Sequence, residues 1–175
     1  MKHLITLFAA LTLTFTATFI AHADSQTGLT DAQLLGIIST ANSSAIESGK
    51  ITMDRAENDD VANYGKHMIS EHFASAAKLD ALELNVGFVR AESEESKKMK
   101  ADSDAMAAAL KSSTPAAYDK LYVDVQVNTH QDLLNKLETT YIPAAVHPEV
   151  KAYLTEVHGN VGGHLMRARE LQQNL

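Results

Sequence analysis

The chain has 175 residues, 22 acidic and 15 basic side chains, a net charge of −7 and no cysteine. An acidic balance of this size disfavours nucleic acid and anionic membrane surfaces as partners. Without cysteine there is no disulfide, no thiolate metal ligand and no lipid-attachment site, so the apolar core alone must hold the fold.

In chain order, Lys2 supplies a positive start, Leu4 to Ile20 is an uncharged apolar run, and "AHA" at 21–23 is a small-residue cleavage pattern. Together they predict a secretory signal peptide over residues 1–23, cleaved to leave Asp24 first, and hence a periplasmic or envelope-associated protein. The alternative is an uncleaved N-terminal anchor. The apolar run is slightly short for a span and no second one follows, so integral membrane insertion is not expected. Residues 24–175, with 14 basic and 22 acidic side chains, suffice for a single helical-bundle domain.

Scarce proline, abundant alanine and no period-two alternation predict an all-α fold. The first helix is expected over about 31–56, opened by a Thr30/Gln33 capping box and carrying Leu34, Ile37, Ile38, Ala41 and Ala45 on one face. "ENDD" at 57–60 breaks it and offers caps for a second helix over about 60–86. That helix has a stripe of Val61, Met68, His72, Ala76, Leu79 and Val86, with Gly87 as its stop. A connection at 87–114 follows, charged and then alanine-rich, read as a short, loosely held helix within a crossover. Thr114 as cap and Pro115 at the first position open a helix over about 115–139, and Pro143 is expected to end any continuation. Pro148 opens the last, about 148–173, with Val150, Leu154, Val157, Val161, His164, Ala168 and Leu171 on one face. Four long helices joined by one long connection predict a four-helix bundle of ferritin-like type, with the crossover between helices 2 and 3. A plain up-down-up-down bundle with a decorated loop is the alternative.

The apolar stripes carry histidines. His67 and His72 are five residues apart, so they sit roughly 140° apart around the helix and cannot serve one ion together. His72 falls within the apolar stripe, whereas His67 falls on the wet side. His130 lies with Val123, Val127, Leu134 and Leu137, and His164 with Val157, Val161 and Ala168. Each of three helices therefore offers one inward histidine near mid-length. Three imidazoles suit zinc, copper or another transition metal, which makes His72, His130 and His164 the candidate ligands. The competing reading is a core network through Tyr122, Gln126 and buried water, with no metal.

Several chemistries are excluded by what is missing. Ferritin-like di-iron sites use Glu-x-x-His pairs, but Ile69, Val127 and Val161 stand three residues before the histidines. The motifs of zinc proteases and serine nucleophiles are absent, and there is no cysteine for covalent haem. Met68 could be an axial haem ligand, but it shares a helix with His72. The glycines of "HGNVGGH" match no phosphate loop and are expected to allow close helix approach or a kink. No catalytic residue is identified.

"VANYGKHMISEH" at 61–72 resembles the V-x-x-[FY]-[AG]-x-x-M-[VI]-x-[DE]-H segment of the bacterial family known as domain of unknown function 4142. "AYDKLYVDVQVNTH" resembles that family's second segment, with Tyr118, Asp119, Tyr122 and His130 in matching places. "PEVKAYLTEVHGNVGGHL" resembles its last, with His164. The resemblance implies secretion and a ferritin-like helical fold, and it implies no activity. One departure stands out: the family commonly has a glutamate in its first helix where this chain has Ala45. Glu47 is about 200° around the helix and cannot substitute for it. "LTDAQ" also resembles the L-T-x-x-Q motif of small periplasmic stress chaperones, in a single copy. The reading is thus a secreted helical bundle binding a transition metal through His72, His130 and His164. Its alternative is a non-catalytic envelope structural or stress-related protein whose histidines only order the core.

Overall fold

The computed structural model describes residues 28–175, and the leader read over 1–23 lies outside them. Among the described residues all regular structure is helical: α1 (Asp31–Arg55), α2 (Asp59–Val86), α3 (Glu94–Ser112), α4 (Pro115–Lys136), α5 (Ile142–Ala144) and α6 (Pro148–Gln173). No described helix is long and apolar enough to cross a membrane.

The helix ends follow local chemistry. Thr30 accepts from the Gln33 amide while the Gln33 side chain accepts from the Thr30 amide, so "LTDAQ" is fully used as a capping box. Asn58 caps α2, and Gly87 ends it in the left-handed region at φ 75°, which glycine adopts without a Cβ clash. Two carboxylates pin neighbouring loops. Asp119 accepts from the Glu57 and Asn58 amides ahead of α2, and Asp31 accepts from the Val146 and His147 amides ahead of α6.

Three expectations need correction. Thr114 stands at the N-cap of α4 but makes no side-chain capping bond there, leaving Pro115 to set the start. The connection at 87–114 contains a full 19-residue helix rather than a short, loose one. Ser93 and Ser96 form a capping box at its start, and Ala107 and Leu110 are buried. Pro143 does not end α4 at once. The chain widens into a π-helical turn, Leu137–Tyr141, where the Ile142 amide reaches back to the Leu137 carbonyl, and then runs on through α5.

Hydrogen bonds fix how α3 lies. Ala91, just before it, donates to the Ala32 carbonyl at the start of α1. At the far end the Arg55 guanidinium donates to the Lys111 and Ser113 carbonyls, 2.7 and 2.6 Å. α3 therefore runs alongside α1 from end to end, and α4 begins beside the end of α1, where the Tyr118 hydroxyl meets Thr52 at 2.9 Å. The close crossing of α1 and α2 depends on two glycines. A Cβ on Gly49 would lie 2.8 Å from Ile69 Cγ1 and 2.9 Å from the Gly65 carbonyl. In α6 Gly159 and Gly163 face open space, and a Cβ on Gly162 would only make ordinary contact with Leu134 of α4 at 3.9 Å, so the closest helix approach is found at α1/α2.

The core divides into two clusters. One gathers Leu34, Leu35, Ile37, Ile38, Leu79, Leu82 and the first half of α6 around Leu154. The other gathers Tyr64, Tyr118, Tyr122, Val61, Met68 and Leu110. His72, His130 and His164 lie between them along their helices, joined by buried Asn42 and Gln126.

Candidate metal centre

α2, α4 and α6 each deliver one imidazole to the same point. Ligand nitrogens of His72, His130 and His164 lie within 4.8 Å of one another, and the three residues are only 5–7% exposed. Ring centroids stand 5.3 Å apart for His72–His164, 5.5 Å for His130–His164 and 6.2 Å for His72–His130. The arrangement follows from pattern. Each histidine replaces an aliphatic residue on an apolar stripe at mid-helix, so burying the stripes buries the rings together.

Outer partners set the tautomers. His130 Nδ1–H donates to the Gln126 carbonyl one turn back, 2.8 Å. His72 Nδ1–H donates to Asn42 Oδ1, 2.9 Å, and the Asn42 amide nitrogen donates to Ser75 Oγ, 3.1 Å, which meets the Tyr153 hydroxyl. With the proton held on Nδ1, Nε2 of each ring keeps its lone pair. Metal-binding histidines are oriented in the same way, by a carbonyl or carboxylate on the far nitrogen. His72 Nε2 and His164 Nδ1 are buried with no hydrogen-bond partner. Such an orphaned atom costs about 1–3 kcal/mol unless something meets it.

The rings are uncharged at neutral pH. Burial, then the neighbouring imidazoles, push His72 down to about 3. Burial and the charges of His130 and His67 push His164 down to about 4. Burial also lowers His130, opposed by its bond to the Gln126 carbonyl. Neutral imidazoles are the form that donates to a metal. A tetrahedral ion with bonds of ~2.0–2.1 Å holds its nitrogens about 3.4 Å apart, so the trio must close by up to about 1.4 Å to grip one.

In the competing reading a network runs through Tyr122, Gln126 and buried water; no direct side-chain bond joins Tyr122 or Gln126 to the histidines among the described residues. The Tyr122 hydroxyl and Gln126 Oε1 are buried without a hydrogen bond of normal geometry, and the histidines turn to Asn42 and a main-chain carbonyl instead. Asn42 is the member that sequence reasoning left out of the site. Its signal was available: Ile38, Asn42, Ala45 and Gly49 share one buried face of α1. His67 is exposed, as its place on the helix requires. Its ring nonetheless stands edge-on to His164, centroids 5.8 Å apart. His164 enters from α6 between the two α2 histidines, so ~140° of separation around α2 does not keep His67 from the cluster.

A cleft of about 200 Å³ between α1, α3 and α4 reaches His72 and His130, with Ala45 and Gln126 on its wall. Glu47 stands at the same cleft but is half exposed and pairs with Lys111 at 3.1 Å. Among the described residues no carboxylate joins the trio, and alanine occupies position 45.

A family model described as "Domain of unknown function (DUF4142)" matches residues 17–171. The chain belongs to this family. All three histidines fall within the DUF4142 match, as do Asn42 and His67. No curated protein matches the chain. Among solved structures it is similar to a DUF305 fragment from Deinococcus radiodurans, with a TM-score of 0.71 and 13% sequence identity. That similarity covers 83% of this chain and 96% of the other. At that identity the likeness concerns the fold alone.

Proposed function

We propose that this DUF4142 protein is a secreted, periplasmic or envelope-associated ferritin-like four-helix bundle of α1, α2, α4 and α6, with α3 as crossover. In this reading it binds a transition metal through His72, His130 and His164. One observation carries the metal reading: three buried, uncharged imidazoles from three helices converge within 4.8 Å, among the described residues the one such group of potential ligands. Zinc and copper are the ions such donors suit best, and three protein ligands leave a fourth position free. Two of the rings are also held as ordinary core histidines would be, and this favours the second reading, an envelope structural protein whose histidines order its core.

Calorimetric titration separates the two. The protein, purified without affinity tag or chelator, should bind zinc or copper tighter than ~10 μM at neutral pH. His72→Ala, His130→Ala and His164→Ala should each lose most of that binding. Metal should raise the melting temperature of the parent by mass action. No binding at that level by the parent with any common divalent ion would leave the core-ordering reading. Intact mass of the exported protein tests its location: the chain should begin at Asp24.

A further inference from the structure

We propose that His67 is the exchange ligand through which an ion passes between solvent and the buried trio, an inference that rests on the metal reading above. Two nitrogens of the trio, His72 Nε2 and His164 Nδ1, are sealed from solvent, so an ion that reaches them from the α6 side needs an intermediate stop. His67 is exposed, and its ring meets His164 at 88° with centroids 5.8 Å apart. His164 in turn stands 5.3 Å from His72 and 5.5 Å from His130. Four imidazoles thus form a continuous path from surface to core, with His164 as its hub. Each step is short enough for a small ring rotation to hand on an ion.

The chemistry is ligand exchange without redox change. Imidazole Nε2 or Nδ1 of His67 replaces a water on the ion. A nitrogen of His164 then replaces a second water, and the bond to His67 breaks once the inner nitrogens have closed. The ion keeps its donor count throughout, which lowers the barrier relative to stripping its hydration first. Gly163, beside His164 on α6, borders open space, so this part of the helix is not roofed. The competing route is the cleft between α1, α3 and α4, which reaches His72 and His130 but does not include His164 among its lining residues.

The two routes separate kinetically. Cobalt(II) uptake and its release to a chelator would be followed by visible absorption in the parent, His67→Ala and Ala45→Leu, the last narrowing the cleft. His67→Ala should slow uptake and release by the same factor, roughly tenfold or more, with Kd unchanged, because a group used only on the path cannot move the equilibrium. Circular dichroism should show both variants folded. Unchanged rates in His67→Ala, or slowing confined to Ala45→Leu, overturn the proposal. A weaker Kd in His67→Ala also overturns it, by making His67 a resident ligand. If the parent binds neither cobalt nor zinc, the metal reading itself falls. Binding by a parent whose rates ignore His67 defeats this inference alone.

Discussion

The two ends of the core are built from different materials. Around Leu34, Leu35, Ile37, Ile38, Leu79 and Leu154 the packing is aliphatic, and the two tyrosines there place their hydroxyls on Glu95 and Ser75. Around Tyr64, Tyr118 and Tyr122 the core is aromatic. The Tyr64 hydroxyl donates to the His164 carbonyl at 3.2 Å and Tyr118 meets Thr52, but the Tyr122 hydroxyl makes no hydrogen bond of normal geometry. Among the described residues, buried atoms without a hydrogen bond gather in the histidine layer and on its tyrosine side, the exception being His147 Nδ1 beside Phe88 at the aliphatic end, which faces Glu149 at 2.8 Å. The aliphatic end shows how the bundle is held together. The other shows where stability has been left unoptimised beside the candidate site, as happens where local structure serves a site.

Acid should break the molecule at the layer between the two ends, and this is the largest effect expected. His72 and His164 titrate at about 3 and 4 when folded, and near 6.5 when unfolded. The unfolded chain therefore takes up protons first as pH falls, so stability is full above about 6.5 and drains away toward 4. At pH 5 the two histidines together should cost about 4 kcal/mol relative to pH 7. Urea unfolding of metal-free protein across that range measures it. A flat profile between pH 7 and 5 would contradict the buried, uncharged state of the layer.

Next in size is the aliphatic end itself. Leu154 is fully buried in that cluster, and Leu154→Ala should cost about 2–5 kcal/mol by lost transfer energy and a cavity. For a chain of this size that lowers Tm by roughly 2–4 °C per kcal/mol. If the protein binds metal as proposed, affinity should hold at temperatures where the variant remains folded, because Leu154 lies almost three turns from His164 along α6.

How much of this was legible in the sequence depends on whether the deciding contact lies within one helix or between several. The Thr30/Gln33 box, the stop at Gly87 and the inward turn of His72, His130 and His164 are properties of single helices, and each could be read from spacing. Asn42 sat on its stripe by the same logic as the histidines. The contact of His67 with His164 could not be read, because it depends on where α6 lies against α2. α3 was underrated for a different reason. It buries little beyond Ala107 and Leu110, so its apolar signal is faint, and pairs such as Lys98–Asp102 and Lys100–Asp104 one turn apart support it locally. The π turn before α5 is a single five-residue turn, too short to leave a periodic signal of its own.

A smaller test probes the tyrosine end where its hydroxyls are used. Tyr118→Phe removes the partner of Thr52, whose hydroxyl also donates to the Ser48 carbonyl at 2.8 Å and so keeps one bond. The loss should be about 1 kcal/mol by denaturant unfolding, the usual net value of one hydrogen bond. A loss above about 3 kcal/mol would mean that this ring carries packing that the aromatic cluster cannot replace.

The smallest effect should have the opposite sign. Tyr122 stacks on Tyr118 with centroids 6.3 Å apart and sits edge-on to Tyr64 at 6.2 Å, so its ring is committed to the core. Its hydroxyl makes no hydrogen bond of normal length and angle, and burial pushes that phenol far above its ordinary range, with only a small opposing pull from the nearby Thr52 hydroxyl. Tyr122→Phe keeps the ring and removes a polar atom that lost water on folding and gained at most a weak contact with Thr52 in return. Stability should therefore stay level or rise by up to about 1 kcal/mol, where the same change at Tyr118 lowers it. Urea unfolding of the two variants side by side gives the contrast directly. If Tyr122→Phe instead costs as much as Tyr118→Phe, the hydroxyl has a partner in solution. The Thr52 hydroxyl would be the first to look for, then ordered water spanning to Gln126 Oε1, the unpaired acceptor one turn along α4.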